Sequence, residues 1–295
     1  MRVAHIILTH KNPVQLARLI KTMQHPLFDF YVHADTKMCA DSLKYVESLP
    51  NVKLIKARIG CNWGGYSILK AIFNSLNEVL ASGVNYDFIN LLSAQDYPIS
   101  TSQEICEYLA IRRGVNFITY DPSHDSEWWQ HAANRYEKYH LTDWKIKGTF
   151  YLEKALNFFS SSRKFPDYEI LYGGNKSTWW TISSECASYL IEVFDKNKKL
   201  RKFLQFCWGT DEFVIPTLIL NSPFRDSVVN NNMRYIDWTE GNASPKLLML
   251  ADFEKIRSSN MHFARKFDLD QDENILNKID EQLLTNRVHI SDSIH

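Results

Sequence analysis

The feature that most constrains this chain is the alternation, over its first 120 residues, of short apolar runs with helix-length segments. Residues 3–8 and 88–92 are largely apolar runs of strand length, and residues 28–32 and 52–55 read as two further strands. After the first, Asn12-Pro13 supplies an N-cap and a first-turn proline for a helix reaching Met23. Before the last, Gly64-Gly65 leads into a helix whose Ile68, Ile72, Leu76, Val79 and Leu80 recur at helical spacing. Helices between short apolar strands imply an α/β fold with a mainly parallel central sheet covered on both faces. Ligands of such sheets bind beyond the carboxyl ends of the strands. Thr9-His10, His33-Ala-Asp35, Asn62-Trp-Gly-Gly65 and Gln95-Asp96 fall there in order.

The second part of the chain is less regular. Residues 120–165 are charged and aromatic, with Trp128, Trp129, Arg135, Tyr136, Tyr139, His140 and Trp144. A strand is expected over 178–182, a helix over 184–194 capped by Ser183, a helix over 210–220 and a terminal helix over 274–284. Pro216 conflicts with an unbroken helix unless it lies in an early turn. No low-complexity linker divides the chain. One domain over 1–295 is expected, with 1–120 as a nucleotide-binding half and 121–295 as the acceptor-binding and catalytic half.

Several function classes lose ground. Lys+Arg and Asp+Glu are both 34, so no global field favours nucleic acid or an anionic membrane, and any anion site must be local. Neither GxxxxGK[ST] nor GxGxxG follows the first strand, which disfavours kinases and dinucleotide enzymes. The five cysteines lack CxxC spacing and read as free, mostly buried thiols of a cytosolic chain. No leader-like segment precedes residue 3, and no run of about 18 apolar residues marks a membrane span.

The chemistry concentrates in the last third. Asp211-Glu212 offers a carboxylate that could take a proton, although Thr210-Asp211-Glu212 also resembles a helix start where acids are favourable. Lys246, Arg265 and Lys266 follow, the last two between Phe263 and Phe267, which suits phosphate recognition better than a solvated face. A base followed by fixed cations fits an enzyme expelling a phosphorylated leaving group without a metal. Asp96 either accepts from sugar hydroxyls or holds the turn that follows it, and alone it is a poor metal site. Asp35 either accepts from a uracil or ribose donor or caps the loop after the second strand. His10 and His33 read more readily as satisfied structural histidines than as metal ligands. Asp268-Leu-Asp270-Gln-Asp272 lacks the later positions of a calcium loop and reads as an acidic helix entry.

At these residues the chain resembles the core-2/I-branching β-1,6-N-acetylglucosaminyltransferases, a family that includes the peptide O-xylosyltransferases. The matching pieces are Ile6-Ile-Leu-Thr-His10, His33-Ala-Asp35, Trp63-Gly-Gly-Tyr-Ser67, Leu92 to Ile99, Ser177-Thr-Trp-Trp180, Asp211-Glu-Phe213, Asn221-Ser-Pro223, Arg234-Tyr-Ile-Asp-Trp238 and Phe263-Ala-Arg-Lys-Phe267. Their common order carries the resemblance. It implies a GT-A type fold and metal-free, inverting transfer of a sugar from a UDP-sugar to a glycan hydroxyl. N-acetylglucosamine forming a β-1,6 branch is the first expectation, and xylose the alternative. A non-catalytic carbohydrate-binding protein is the rival from another class. Glu212 falls on the family's general base, Lys266 on one of two diphosphate cations, and Lys246 near the other. His10, Asp35 and Arg265 are placed on the donor side. Asp96, Trp179, Trp180, Tyr235 and Trp238 are placed with the sugars. Lacking the anchor and disulfides of secreted relatives, the chain is expected to be a bacterial cytoplasmic enzyme, associated at most peripherally with a membrane-linked glycan.

Overall fold

The computed structural model describes residues 1–123 and 127–285, so residues 124–126 of the aromatic stretch lie outside it. Twelve strands occur among the described residues. They are β1 (Val3–Thr9), β2 (Phe28–Ala34), β3 (Val52–Leu54), β4 (Phe88–Ser93), β5 (Asp96–Pro98) and β6 (Asn116–Phe117), then β7 (Asp121–Pro122), β8 (Tyr172–Gly173), β9 (Thr181–Ser183), β10 (Val228–Val229), β11 (Arg234–Ile236) and β12 (Phe263–Arg265). Seven form the main sheet in the order β10-β6-β9-β4-β1-β2-β3. All its pairings are parallel except those of β9, which runs against both β4 and β6. The mainly parallel α/β sheet expected from the alternating runs is therefore the one formed.

Period-two alternation divides the core between the faces of this sheet. Val3, Ile7, Phe28, Phe30, Val32, Phe88 and Leu92 pack on one side with Leu16, Leu19 and Ile20 of the helix Pro13–Thr22. Ala4, Ile6, Tyr31, Ile89 and Leu91 pack on the other with Leu69, Ile72 and Leu76 of the helix Tyr66–Leu80. Each Val, Leu, Ile or Phe side chain among them contributes about 1.5–3 kcal/mol on burial. Caps set the helix starts: Asn12 accepts from the amide of Gln15, and Ser183 from that of Cys186.

The sequence expectations differ from the structure at element ends. The strand expected at 178–182 begins only at Thr181, because Thr178 and Trp179 turn toward a cavity. The helix expected at 210–220 is split into a 3₁₀ turn, Thr210–Glu212, and the α-helix Val214–Leu220. Pro216 then sits in the first turn, where its missing N–H costs nothing. The terminal helix is α over Glu273–Ile279 and π over Asp280–Leu284. The helix Ser102–Ala110, with a full Thr101/Glu104 capping box, and the small sheet β11-β12-β5 were not expected. All five cysteines are free, with Cys106, Cys186 and Cys207 buried. Among the described residues no helix is long and apolar enough to cross a membrane.

Candidate active site

A cavity of about 470 Å³ opens where the carboxyl ends of β1, β2 and β4 meet the small sheet. Thr9 at the end of β1 and His10 just after it, Asp35 after β2, Ser93 at the end of β4 and Gln95 beyond it enter the cavity. This is the strand-end position at which ligands of open parallel sheets bind. The opposite wall carries Ile236 at the end of β11 and Trp238 beyond it, Arg265 at the end of β12 and Lys266 just after it, and Ser244-Pro245 from the intervening loop. Thr178, Trp179, Asp211 and Glu212 close the remaining side.

Glu212 is held by Arg135, whose Nη1 donates to its Oε2 at 2.6 Å. Arg135 is fixed in turn between the indoles of Trp128 and Trp208, with its guanidinium carbon 4.7 and 4.5 Å from the ring centroids. Burial pushes the Glu212 carboxyl up to about 7, with Arg135 opposing the rise and Asp211 adding to it. Burial likewise raises Asp211, against the hydrogen bond that Thr178 Oγ1 donates to it at 2.9 Å. Two glycines make this geometry accessible. Gly209 has φ 63° and donates its N–H to Gly64 O at 2.7 Å, and a Cβ on it would lie 2.6 Å from Arg135 Nη1. Gly64 has φ 72°, and a Cβ there would lie 2.1 Å from the Trp208 indole nitrogen. Gly64 therefore serves close packing and not only the entry to a helix.

Arg265 is paired across the small sheet with Asp96, its antiparallel partner in register, with Nε 3.4 Å from Oδ1. Its guanidinium carbon stands 4.2 Å from the Trp179 ring centroid. Although buried, its Nε and Nη1 donate no hydrogen bond among the described residues. A guanidinium on a cavity wall, with Nε facing Asp96 and Nη1 left without a hydrogen bond, is of a type that can hold an oxyanion. Beside it, Lys266 donates to Ser244 Oγ at 3.1 Å, and burial followed by Arg265 lowers its pKa. The buried indole N–H of Trp238 likewise has no hydrogen-bond partner among the described residues.

Four of the residues expected at the site are placed elsewhere. Lys246 ion-pairs with Asp252 at 2.6 Å outside the cavity, and that bond raises its pKa. Its neighbours Ser244 and Pro245 reach the wall, but its own ammonium does not. On the cavity wall the cation next to Lys266 is Arg265. Asp96 is wholly buried and does not line the cavity, and among the described residues the one hydrogen bond of its side chain is accepted from the amide of Ser93. It holds Arg265 and the turn, so the sugar-contact reading is corrected. Trp180 is also wholly buried, packed in the core behind β9, while Trp179 next to it reaches the cavity. Tyr235 packs against the core on the face of β11 opposite Ile236.

Asp35 lines the cavity but its oxygens already accept from the amides of Lys37 and Cys61, both at 2.8 Å, as the loop-capping alternative requires. His33 Nε2 accepts from the amide of Ile59 at 3.0 Å. His10 lines the cavity with its pKa lowered, chiefly by burial. Arg135 is the functional neighbour that sequence reading passed over. Its only signal was an arginine within a Trp-rich stretch.

With this geometry in view, comparison with known proteins decides the family. The Core-2/I-Branching enzyme family model matches residues 3–261. The chain belongs to that family. It is similar to a xylosyltransferase of Ciona intestinalis, at 24% identity over 96% of this chain and 34% of the relative. It is also similar to xylosyltransferase 2 of Rattus norvegicus, at 25% identity over 96% of this chain and 34% of the relative. The chain thus spans about a third of the length of these curated relatives. Among solved structures, mouse xyloside xylosyltransferase 1 in its apo form is similar at 11% identity with TM-score 0.41, over 89% of this chain and 97% of that one. S. aureus TarS 1-349 in complex with UDP-GlcNAc is similar at 16% identity with TM-score 0.31, over 40% of this chain and 34% of that one.

Proposed function

We propose that this Core-2/I-branching family member is an inverting glycosyltransferase that moves a sugar from a UDP-sugar to a carbohydrate hydroxyl. The observation that carries the reading is that the guanidinium of Arg265 and the ammonium of Lys266 line the same cavity as Glu212. The two cations receive the diphosphate and offset the charge that grows on it as the glycosidic bond breaks. Glu212 takes the proton of the acceptor hydroxyl as its oxygen attacks the anomeric carbon from the opposite side. Trp179 and Trp238 offer ring faces and an indole N–H to the sugars. The donor is proposed to be UDP-N-acetylglucosamine, with a β-1,6 branch as product. UDP-xylose is the second reading, favoured by the names of the relatives aligned over 96% of the chain. Turnover with each donor, followed as UDP release with a panel of glycan acceptors, tests the proposal. Failure to bind or turn over either one sinks it.

Metal independence belongs to the same proposal, because fixed cations supply the charge that a divalent ion supplies elsewhere. Lys266→Ala is expected to weaken UDP by about 10- to 150-fold, the loss of a charge-assisted hydrogen bond of about 1.5–3 kcal/mol, and to leave uridine unchanged. Lys246→Ala should change neither affinity, since its ammonium is committed to Asp252. Calorimetric titrations of both ligands with excess EDTA check these outcomes. Abolished binding that Mn²⁺ restores would overturn the metal-free mechanism.

A base with its pKa at about 7 carries the proton below that pH and is competent above it. The kcat/KM profile should therefore rise with pH through an acidic limb near 7. Arg135 favours the ionised form, so Arg135→Met should move that limb upward. A limb that stays in place in this variant would detach Glu212 from the rate.

A further inference from the structure

The helix Thr149–Phe159 contains no buried residue. Its outward side chains are nevertheless the apolar ones: Tyr151, Phe158 and Phe159 are 76%, 83% and 84% exposed, and Phe150 and Leu152 are exposed with them. Trp144 and Ile146 extend the patch from the preceding loop. At 100° per residue, Phe150, Tyr151, Leu152, Phe158 and Phe159 share one broad face. Two polar residues, Glu153 and Asn157, point inward, while Lys154 is exposed. Glu153 accepts from the amide of Leu141 at 2.8 Å. Asn157 accepts from the amide of Tyr139 at 2.8 Å and donates to its carbonyl at 2.7 Å. The usual amphipathic pattern of a surface helix is reversed. Contiguous exposed apolar area of this kind marks an interaction site.

We propose that this face seats the protein on an anionic lipid surface. The charges select that occupant. The exposed ionic groups of residues 144–159 are Lys145, Lys147 and Lys154, and the one acid, Glu153, is half-buried and occupied. Lys154 Nζ lies 4.5 Å from the Phe150 ring centroid, and neither it nor the other two lysines makes an ion pair among the described residues. Phenylalanine and leucine side chains enter the acyl boundary, tryptophan and tyrosine rest at headgroup level, and lysines reach anionic headgroups. A second copy of the chain fits less well, because a two-fold contact through this face would set the same cations against each other.

Sedimentation of the full chain with phosphatidylcholine vesicles, with and without phosphatidylglycerol, tests the proposal. Partition should be at least about tenfold stronger onto the anionic vesicles. Phe158→Glu with Phe159→Glu should abolish it while the circular dichroism spectrum stays unchanged, since both side chains face solvent. Reversing the lysines to Glu should remove the preference for phosphatidylglycerol. Absence of vesicle binding, or equal binding by the Phe158/Phe159 variant, overturns the proposal. A dimer by light scattering that this variant converts to monomer would do so too, by assigning the face to a second copy.

Discussion

Glu212→Gln is expected to lower turnover about 10²- to 10⁴-fold, the usual contribution of a positioned general base. UDP affinity should stay at its original value, because the groups assigned to the diphosphate are Arg265 and Lys266. The amide keeps the size of the side chain and can still accept from Arg135, which separates loss of the base from loss of structure. The acidic limb near pH 7 should vanish from whatever activity is left. Turnover above half that of the parent enzyme, measured as UDP release with saturating acceptor, would end the assignment.

Asp96→Asn should act through stability. The carboxylate is wholly buried beside Arg265, and the equally buried Arg234 also acts on it electrostatically. Neutralising it leaves two buried guanidiniums short of a counter-charge, and breaking a buried pair in this way costs about 3–5 kcal/mol. Asp211, which also acts on Arg265, favours the lower end of that range. A fall in Tm on the order of 10 °C follows. UDP binding should weaken too, as Arg265 loses the partner that aims it. An Asp96 that touched sugar hydroxyls would instead leave Tm alone and raise KM for donor or acceptor. Thermal melting followed by UDP titration distinguishes the two outcomes, and an unchanged Tm rejects the buried-pair account.

Arg234 shows how a buried charge is accommodated under the site. Its guanidinium donates to Leu91 O at 2.8 Å and to Asn90 Oδ1, which also accepts from Thr181 Oγ1 at 2.9 Å. Asn90 Nδ2 meets His5 Nδ1 at 3.0 Å, which joins β1, β4, β9 and β11 through one polar network. A sequence reading sees an asparagine in an apolar strand and an arginine far downstream. Their pairing depends on sheet order, which local periodicity does not encode.

What the sequence determined by itself was local. Apolar runs of strand length, caps such as Asn12 and Ser183 and helical spacing from Ile68 to Leu80 specify elements through interactions within a few residues. Alternating elements of those lengths leave a mainly parallel sheet as the way to bury both faces, and they put Thr9, Asp35 and Gln95 at one end of it. The tertiary structure decided which candidates share the cavity. Of the adjacent pair Trp179 and Trp180, just before the chain enters β9 at Thr181, one faces the cavity and the other the core. Of three cations, Lys246 is drawn off by Asp252, whereas Arg265 is aligned by the register of β12 against β5. Arg135 reaches Glu212 across 77 residues of sequence. Such choices turn on register and on competition between partners brought together only by folding.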